Sequence, residues 1–534
     1  MNPTSPSKGH RLWILWIIAA IALIGFVVIQ TLPDLERNFR AWITSALILL
    51  ILALVTIWYL AFSRFSWRWR LGFALLLGVA FAGGKNLVRK EGSISGTGLP
   101  RLVWIWTPKP DGKVVTSLTP TITASITPTN LSTIPDVCQF FGPNRDGIVR
   151  GAKLSTNWDA NPPKLLWRQP IGQGWSSFSV CGGHAFTQEQ RGGDELVTCY
   201  DVLSGKLIWA HTNQTRFVEW QGGDGPRATP TLVDGYAYAF GATGILDCLN
   251  ATTGALVWSH GVLTENKISN ITWGTSSSPL VYDNKVVVSG GRSKGPALLA
   301  FERTTGKTLW QTGDEKASYT SATITTLAGK KVLLYLNAGA LSAYDPETGA
   351  QLANFKWGDD RWPRASQPVV LAGDKVFLSA GYGVGCSMVQ FKLGADGKLT
   401  ATELWKNKVM KTQFNSVAFK DGFLYGMDDG LMACVDASTG QRKWKDGRFG
   451  SGQSLMVDDT LLVQSEPGPV YLVSAKPDGY IEYGKIPALS SKTWNHPVLA
   501  GKYLLVRNDQ EAACFELPIE GSKALSMASD GGTK

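Results

Sequence analysis

The sequence predicts an all-β protein, an eight-bladed β-propeller, preceded by an N-terminal transmembrane helical anchor. Three observations carry that expectation. A turn phrase, clearest as Cys434-Val-Asp-Ala-Ser-Thr-Gly-Gln-Arg-Lys-Trp444, recurs from Cys199 to the C-terminal end. Of 534 residues, 58 are Gly and 21 are Trp while only 18% are charged, a composition of aromatic strands and glycine turns. The first ninety residues hold long apolar runs separated by arginines.

The anchor comes first in the chain. Residues 12–30 and 41–62 are apolar runs, each close to the ~20 residues that cross a hydrocarbon core of ~30 Å. The first has no small-residue cleavage site, so it reads as an anchor and not as a secretory signal. A third run, 71–84, reads as a further span, with Trp67 and Trp69 at one interface and Lys85 snorkelling at the other. Residues 12–90 are therefore expected to form two to three transmembrane helices behind a tail of residues 1–11. Lys and Arg counts on the two sides are nearly balanced, so the positive-inside rule barely discriminates the orientation.

Residues 91–135 follow as a linker, dominated over 114–135 by Thr, Ser, Pro and Ile without charge. Prolines in such a segment favour an extended tether over a packed element.

The propeller is expected over 136–518, with a tail over 519–534. Aligned turn glycines fall at Gly205, Gly254, Gly306, Gly349, Gly397, Gly440 and Gly479, with gaps of 49, 52, 43, 48, 43 and 39 residues by subtraction. A period near ~45 with four short strands per unit is that of propeller blades. The glycine supplies positive φ, and the Ser or Thr before it bonds back to the turn. Trp209, Trp258, Trp310 and Trp444 end the outer strands, where a large ring packs on the neighbouring blade. Inner strands begin near Ser176, Ala228, Ser276, Thr320, Ser366, Asn415, Gln453 and Asn495, which makes eight units. The eighth stops after Cys514-Phe-Glu-Leu517 without an outer strand. The segment Lys164-Leu-Leu-Trp-Arg-Gln169 supplies one from upstream, closing the ring and removing both sheet edges.

The seven cysteines are scattered, with no Cys-x-x-Cys, no haem-attachment motif and no adjacent pair. Cys199, Cys248 and Cys434 occupy one repeat position where other copies carry Ala300 or Ala343, so they read as small core residues. The net charge of +10 is not gathered into Lys/Arg runs in the C-terminal region, so nucleic acid is not an expected partner.

Ala343-Tyr-Asp-Pro-Glu-Thr-Gly349 and its sister copies resemble the pyrroloquinoline-quinone (PQQ) type propeller repeat, with its tryptophan-docking motif. Phe140-Phe-Gly-Pro-Asn-Arg-Asp-Gly147 is similar to the opening of bacterial membrane-associated members with PQQ-like repeats. The resemblance covers about residues 136–518. Ala353 departs from it where Trp is expected, and 474–479 is worn. It implies an extracytoplasmic C-terminal domain, and hence a multi-pass inner-membrane protein whose propeller faces the periplasm. It also implies one of two functions: a non-catalytic envelope scaffold similar to the BamB type, or a PQQ-dependent dehydrogenase with quinone and calcium at the channel mouth and an aspartate base. The repeat builds the blades and not the site, so it does not separate the two. The vicinal Cys-Cys and the haem domain of large PQQ alcohol dehydrogenases are missing from this sequence.

Ligand contacts are expected where outer strands lead into the next inner strand, and between second and third strands, which open on the same face. The residues singled out there are Glu189 and Arg191 in 188–195, Asp224 and Arg227 in 222–227, and Trp273, Arg364, Trp494, His496 and Asp509. Aromatic walls with a few charges suit a planar or anionic ligand. Each residue also has a plain reading: 222–227 as a turn, the arginines as partners of loop carboxylates, the tryptophans as packing between blades, His496 as a turn residue before Pro497. No metal-ligand spacing, Ser/His/Asp order or phosphate loop appears.

The expected function is a membrane-anchored extracytoplasmic scaffold that binds a ligand or an envelope protein. The alternative is a PQQ-dependent dehydrogenase of alcohols or sugars feeding the membrane quinone pool. For that alternative the resemblance allows PQQ and calcium as cofactors, Asp224 or Asp509 as base, and Glu189 as a calcium contact.

Overall fold

A computed structural model describes residues 12–33, 35–108, 134–292 and 295–520. Of the linker expected over 91–135, residues 109–133 lie outside the described residues, as do the first eleven residues and 521–534. The chain divides into two compact units, Met1–Pro108 with Glu219–Gly223, and Lys109–Val218 with Asp224–Lys534.

In the first unit, α1 (Leu12–Thr31) and α2 (Arg37–Ile57, prolonged as a π-turn over Trp58–Phe62) are long and apolar enough to cross a membrane. They approach closely at Gly25, where a Cβ would lie 3.2 Å from Leu47 Cδ2. The Arg40 guanidinium donates to the carbonyls of Ile29, Gln30 and Leu32 at 2.6, 2.6 and 2.8 Å, satisfying the orphan acceptors at the end of α1. The expected third span forms a helix, α3 (Trp67–Leu87), but with Arg68, Arg70 and Lys85 in it α3 is not among the helices apolar enough to cross. Sequence periodicity did not foresee the antiparallel hairpin that follows, Val88–Ser93 with Pro100–Trp104. Its end carries the stacked, exposed rings of Trp104 and Trp106 at 5.0 Å.

The second unit is an eight-bladed propeller. Each blade is an antiparallel sheet of four strands in sequence order, over 179–213, 231–261, 280–312, 323–356, 369–407, 418–448, 453–486 and 498–516. The last has three strands of its own and takes Lys164–Pro170 as its fourth, with Cys514 opposite Trp167. First strands touch around the axis between blades 1 and 2, 2 and 3, 5 and 6, and 8 and 1, and all eight start within four residues of the expected positions.

One local rule builds six of the eight blades. A buried small or apolar residue of the third strand faces the outer-strand Trp, and a β-bulge follows at once: Cys199 opposite Trp209, Cys248 opposite Trp258, Ala300 opposite Trp310, Cys434 opposite Trp444. The bulge bends the outer strand, and the ring comes to rest on the turn glycine of the next blade. A Cβ on Gly205, Gly254, Gly306, Gly349 or Gly440 would fall 2.6–2.9 Å from a ring atom of Trp167, Trp209, Trp258, Trp310 or Trp405, and all five glycines have φ between +70° and +76°. The indole N–H then donates to a carbonyl of that turn, as from Trp209 to Ala251 at 3.0 Å and Trp444 to Lys476 at 2.9 Å. The Asp or Asn that opens the turn caps it: Asp436 Oδ1 accepts the backbone N–H of Ser438 and Thr439 at 2.9 and 3.0 Å. Gly479, in the worn copy, lacks the positive φ.

Where the rule lapses, a substitute fills the gap. Blade 4 has Ala353 in the Trp position, and Trp357, four residues on, is buried between blades 4 and 5 with its N–H on Ser387 Oγ at 2.9 Å. Blade 7 has Gly484 there, opposite Leu472, and Trp158 from the segment before the ring occupies the space. Ile519 and Glu520, expected in the tail, bridge back to Leu154 and Lys153.

The five repeat-position or strand cysteines, Cys199, Cys248, Cys386, Cys434 and Cys514, are buried thiols. Cys138 and Cys181 form a disulfide across 43 residues, which spacing alone did not announce.

Candidate functional site

A polar belt runs through blades 1 to 6, two residues ahead of each first strand. The Ser177 N–H donates to Thr229 Oγ1, Thr229 N–H to Ser278 Oγ, and Ser278 N–H to Ser321 Oγ, at 3.1, 3.0 and 2.9 Å. Ser321 N–H continues to Gln367 Oε1 and Gln367 N–H to Ser416 Oγ at 3.2 and 3.3 Å. Blade-to-blade cohesion at the axis thus comes from short side chains that the turn motif does not encode.

One face of the channel is closed by the segment ahead of the ring. Val137 bridges Val180, Cys138 is bonded to Cys181, and Asp136 Oδ1 accepts the Gly182 N–H at 2.8 Å. Ile148–Val149 runs parallel to Met456 and Val457, and Asp458 accepts the N–H groups of Gly151 and Lys153 at 2.8 and 3.1 Å. Cys181 and Val457 end the first strands of blades 1 and 7, so the plug enters from the face of the first-to-second turns. Between, the chain turns on two non-glycine residues in the left-handed region, Phe141 at φ +63° and Arg145 at φ +53°. Arg145 donates to the carbonyls of Ser278 and Pro279 at 3.0 and 3.1 Å, across the ring from blade 7. A cavity of about 320 Å³ remains between plug and blades, lined by Phe140, Phe141, Phe178, Leu455 and His496 among others.

His496 belongs to this closed side. Its ring meets Phe141 and Phe140 edge-on at 4.2 and 5.9 Å, and burial pulls its pKa down to about 3, so it is neutral at physiological pH. Trp494, two residues earlier, is on the open side. It packs on Trp175 at 5.0 Å and Phe414 at 4.8 Å, and donates to Glu466 Oε1 at 3.0 Å. The Lys492 ammonium lies 4.1 and 4.9 Å from the Trp494 and Trp175 ring centres, a cation on a double aromatic face.

Glu189 and Arg191 come together, but inside blade 1. The segment 188–195, expected as a loop, is mostly strand: His184–Arg191 and Asp194–Asp201 meet at a two-glycine turn. Glu189 is fully buried and accepts from Arg191 at 3.1 and 3.2 Å, from the Tyr200 hydroxyl at 2.5 Å, and from the Gly172 N–H. Burial alone would raise its carboxyl, but Arg191, Arg507 and Tyr200 hold it below its ordinary value. Arg507 ties this cluster to blade 8 through Thr187 Oγ1 and the Gln188 carbonyl, both at 2.7 Å.

The other candidates are dispersed around the open face. Asp224 pairs with Arg216 at 3.0 Å, and the Arg227 guanidinium stacks on Phe217 at 4.9 Å while donating to the Gly225 carbonyl. Trp273 packs on Tyr319 at 5.5 Å. Arg364 is buried over Trp357 at 5.3 Å and donates to the carbonyls of Trp362 and Asp359 at 3.0 and 2.8 Å. Asp509 stands beside Arg507 in the loop of blade 8. Lys492, Phe414, Arg145 and Glu195 were not singled out in sequence. Glu195, buried, accepts from Ala242 N–H at 2.8 Å, and burial raises its pKa.

Calcium and quinone can be tested against these residues. Both Glu189 oxygens are taken by cationic or neutral donors, so a metal there would have to displace a guanidinium; Glu189 does not fit a calcium contact. The Trp175–Trp494 face offers aromatic surface, but among the described residues no group of possible metal ligands converges on it.

A family model described as outer membrane protein assembly factor BamB matches residues 148–272 and 193–446, together more than half of the chain. The dehydrogenase subunit of a quinone-type alcohol dehydrogenase from Gluconobacter oxydans is 27% identical over 229 residues, 39% of this chain. The chain spans only 27% of the length of that relative. Among solved structures, BamB from Moraxella catarrhalis aligns with 66% of this chain and 99% of its own, at TM-score 0.50 and 13% identity. A europium-containing methanol dehydrogenase aligns with 74% and 99%, at TM-score 0.54 and 12% identity. At such identities the likeness is one of fold.

Proposed function

We propose, for a chain that belongs to the family of the outer membrane protein assembly factor BamB, built of PQQ-like repeats, that it is a membrane-anchored scaffold binding a ligand or an envelope protein on its open face. The observation that carries this reading is the state of the two acids weighed for metal and base: Glu189, inside blade 1, and Asp224, on the open face, are engaged by Arg191 and Arg216, while Lys492 lies over the Trp494 and Trp175 rings as a cation on an aromatic face. Such a surface suits recognition.

The Cys138–Cys181 disulfide supports the extracytoplasmic side, since disulfides persist in oxidising compartments. With α1 and α2 as spans, this reading is a multi-pass inner-membrane protein whose propeller faces the periplasm. A reporter fused after Lys534 tests the side: alkaline phosphatase activity is expected, and activity only of a cytoplasmic reporter overturns it.

The test of the scaffold reading is co-purification from membranes. A stoichiometric envelope protein, lost on Arg227→Glu, is expected. The second reading, a PQQ-dependent dehydrogenase, is favoured by the likeness to the Gluconobacter oxydans subunit. Micromolar binding of PQQ with calcium, and dye reduction by an alcohol or sugar, would replace the scaffold reading with that one.

A further inference from the structure

We propose that the cavity between plug and blades is a binding site for a small, neutral aromatic molecule carrying one hydroxyl or N–H group. The ring of that molecule packs on Phe140 and Phe141, and its polar group bonds to the His496 imidazole. The site is on the closed face, so it goes beyond the open-face reading above and does not rest on it.

Size and walls define the class of ligand. The volume of about 320 Å³ is at the lower end of small-molecule sites, ~300–1,000 Å³, and a dry cavity of about 150 Å³ already holds benzene. Phe140, Phe141, Phe178 and Leu455 give it aromatic and aliphatic surface. Pro143 and Gly151 belong to the same walls and are exposed, so the cavity reaches solvent beside the plug.

His496 is the polar group that this cavity has to offer. Its Nε2 is buried with no hydrogen-bond partner among the described residues, and the ring is neutral because burial alone sets its charge state. A buried polar atom left unpaired is rare in a folded protein and marks a place for a partner. A neutral imidazole carries one N–H and one lone pair, so it meets a hydroxyl or an N–H equally well. The neighbouring polar side chains are committed. Ser177 Oγ donates to the His496 carbonyl at 2.7 Å, and Gln139 donates to the Pro143 carbonyl at 2.9 Å while accepting from Arg145 at 3.3 Å. The other ionisable groups of the walls, Asp136 and Arg150, are exposed, and engage the Gly182 N–H at 2.8 Å and Asp146 at 2.7 Å. No buried charge is available there to hold an ion, which favours a neutral ligand.

The aromatic wall is built and fixed. Phe141 is held at φ +63°, a conformation that non-glycine residues keep where the surroundings enforce it. Its carbonyl accepts the Gly147 N–H at 3.1 Å, and Gly147 leaves room for its ring, since a Cβ there would lie 3.3 Å from Phe141 Cδ1. Arg145 pins the same turn to the carbonyls of Ser278 and Pro279. The ring so placed meets His496 at an interplanar angle of 83°, which sets an aromatic face and a hydrogen-bonding edge side by side.

The experiment titrates the full chain in lipid nanodiscs with phenol and, separately, with benzoate, by calorimetry against empty nanodiscs. Saturable binding of phenol is expected, and none of benzoate. His496→Phe should weaken phenol binding about fivefold, the worth of one hydrogen bond, and His496→Gln, which keeps a donor and an acceptor, should recover part of it. Phe141→Ala should weaken phenol binding as well. The proposal is overturned by an absence of saturable phenol binding, by phenol binding unchanged in His496→Phe or Phe141→Ala, by His496→Gln as weak as His496→Phe, or by benzoate bound as tightly as phenol. If a variant does not fold, crystals of the wild type grown with 4-iodophenol decide: an anomalous iodine peak inside the cavity is expected, and a peak only elsewhere, or none, overturns it. Partner co-purification is read independently, so a failed cavity site leaves the scaffold reading standing.

Discussion

Trp158 lies against Gly484: a Cβ built on the glycine would fall 2.6 Å from the Cβ of the tryptophan. A residue from outside the repeats thus occupies the place where blade 7 has no tryptophan of its own, and it joins the core shared by blades 7 and 8. Removing it should open a cavity at the ring's seam. Trp158→Ala is expected to cost about 3–5 kcal/mol, and Gly484→Ala to destabilise by overpacking. Urea unfolding followed by tryptophan fluorescence checks both.

The disulfide closes a loop of 43 residues between plug and blade 1. Losing it should cost about 4 kcal/mol by the chain-entropy relation. Reduction, or Cys138→Ser with Cys181→Ser, is expected to lower the unfolding midpoint. The native protein should show no thiol reactive to Ellman's reagent, because the other five cysteines are buried.

Acid should act through His496. Its folded pKa is about 3 against an ordinary 6.5, so the unfolded chain binds the proton more readily between those values. Stability from this group is therefore complete above about pH 6.5 and falls as pH drops toward about 3, by up to about 1.4 kcal/mol per pH unit. His496→Gln should flatten that limb of the stability–pH curve, which denaturant titrations at several pH values will show.

Glu189→Gln should leave Arg191 and Arg507 without their buried counter-charge. A loss of about 3–5 kcal/mol is expected, the same with and without added calcium. A calcium-dependent loss in thermal unfolding would mean that a metal does reach Glu189.

The ring was legible in sequence because its rule is local: a glycine with positive φ and a tryptophan at fixed offset recur wherever a blade turns. Lys164–Gln169 was recognisable as the missing strand because Trp167 repeats that offset. Trp158 and Trp357 were not, since each does the tryptophan's work from outside the repeat register. The segment 188–195 looked like a polar loop because Glu189 and Arg191 are buried as partners of one another, which composition hides. The site resisted reading for a related reason. Lys492 and Phe414 come from segments with no period, and only the folded ring brings both of them to Trp494.

The seam between Lys164–Pro170 and Glu511–Glu516 also fixes an order of events during synthesis. The first blade strand made must wait, unpaired, until nearly the last one has been delivered. Early blades will therefore exist as open sheets with free edges while the chain is still emerging, a state that favours aggregation and slow, non-local closure. Chains truncated before Glu511 are expected to depend on chaperones, whatever stability their finished blades possess.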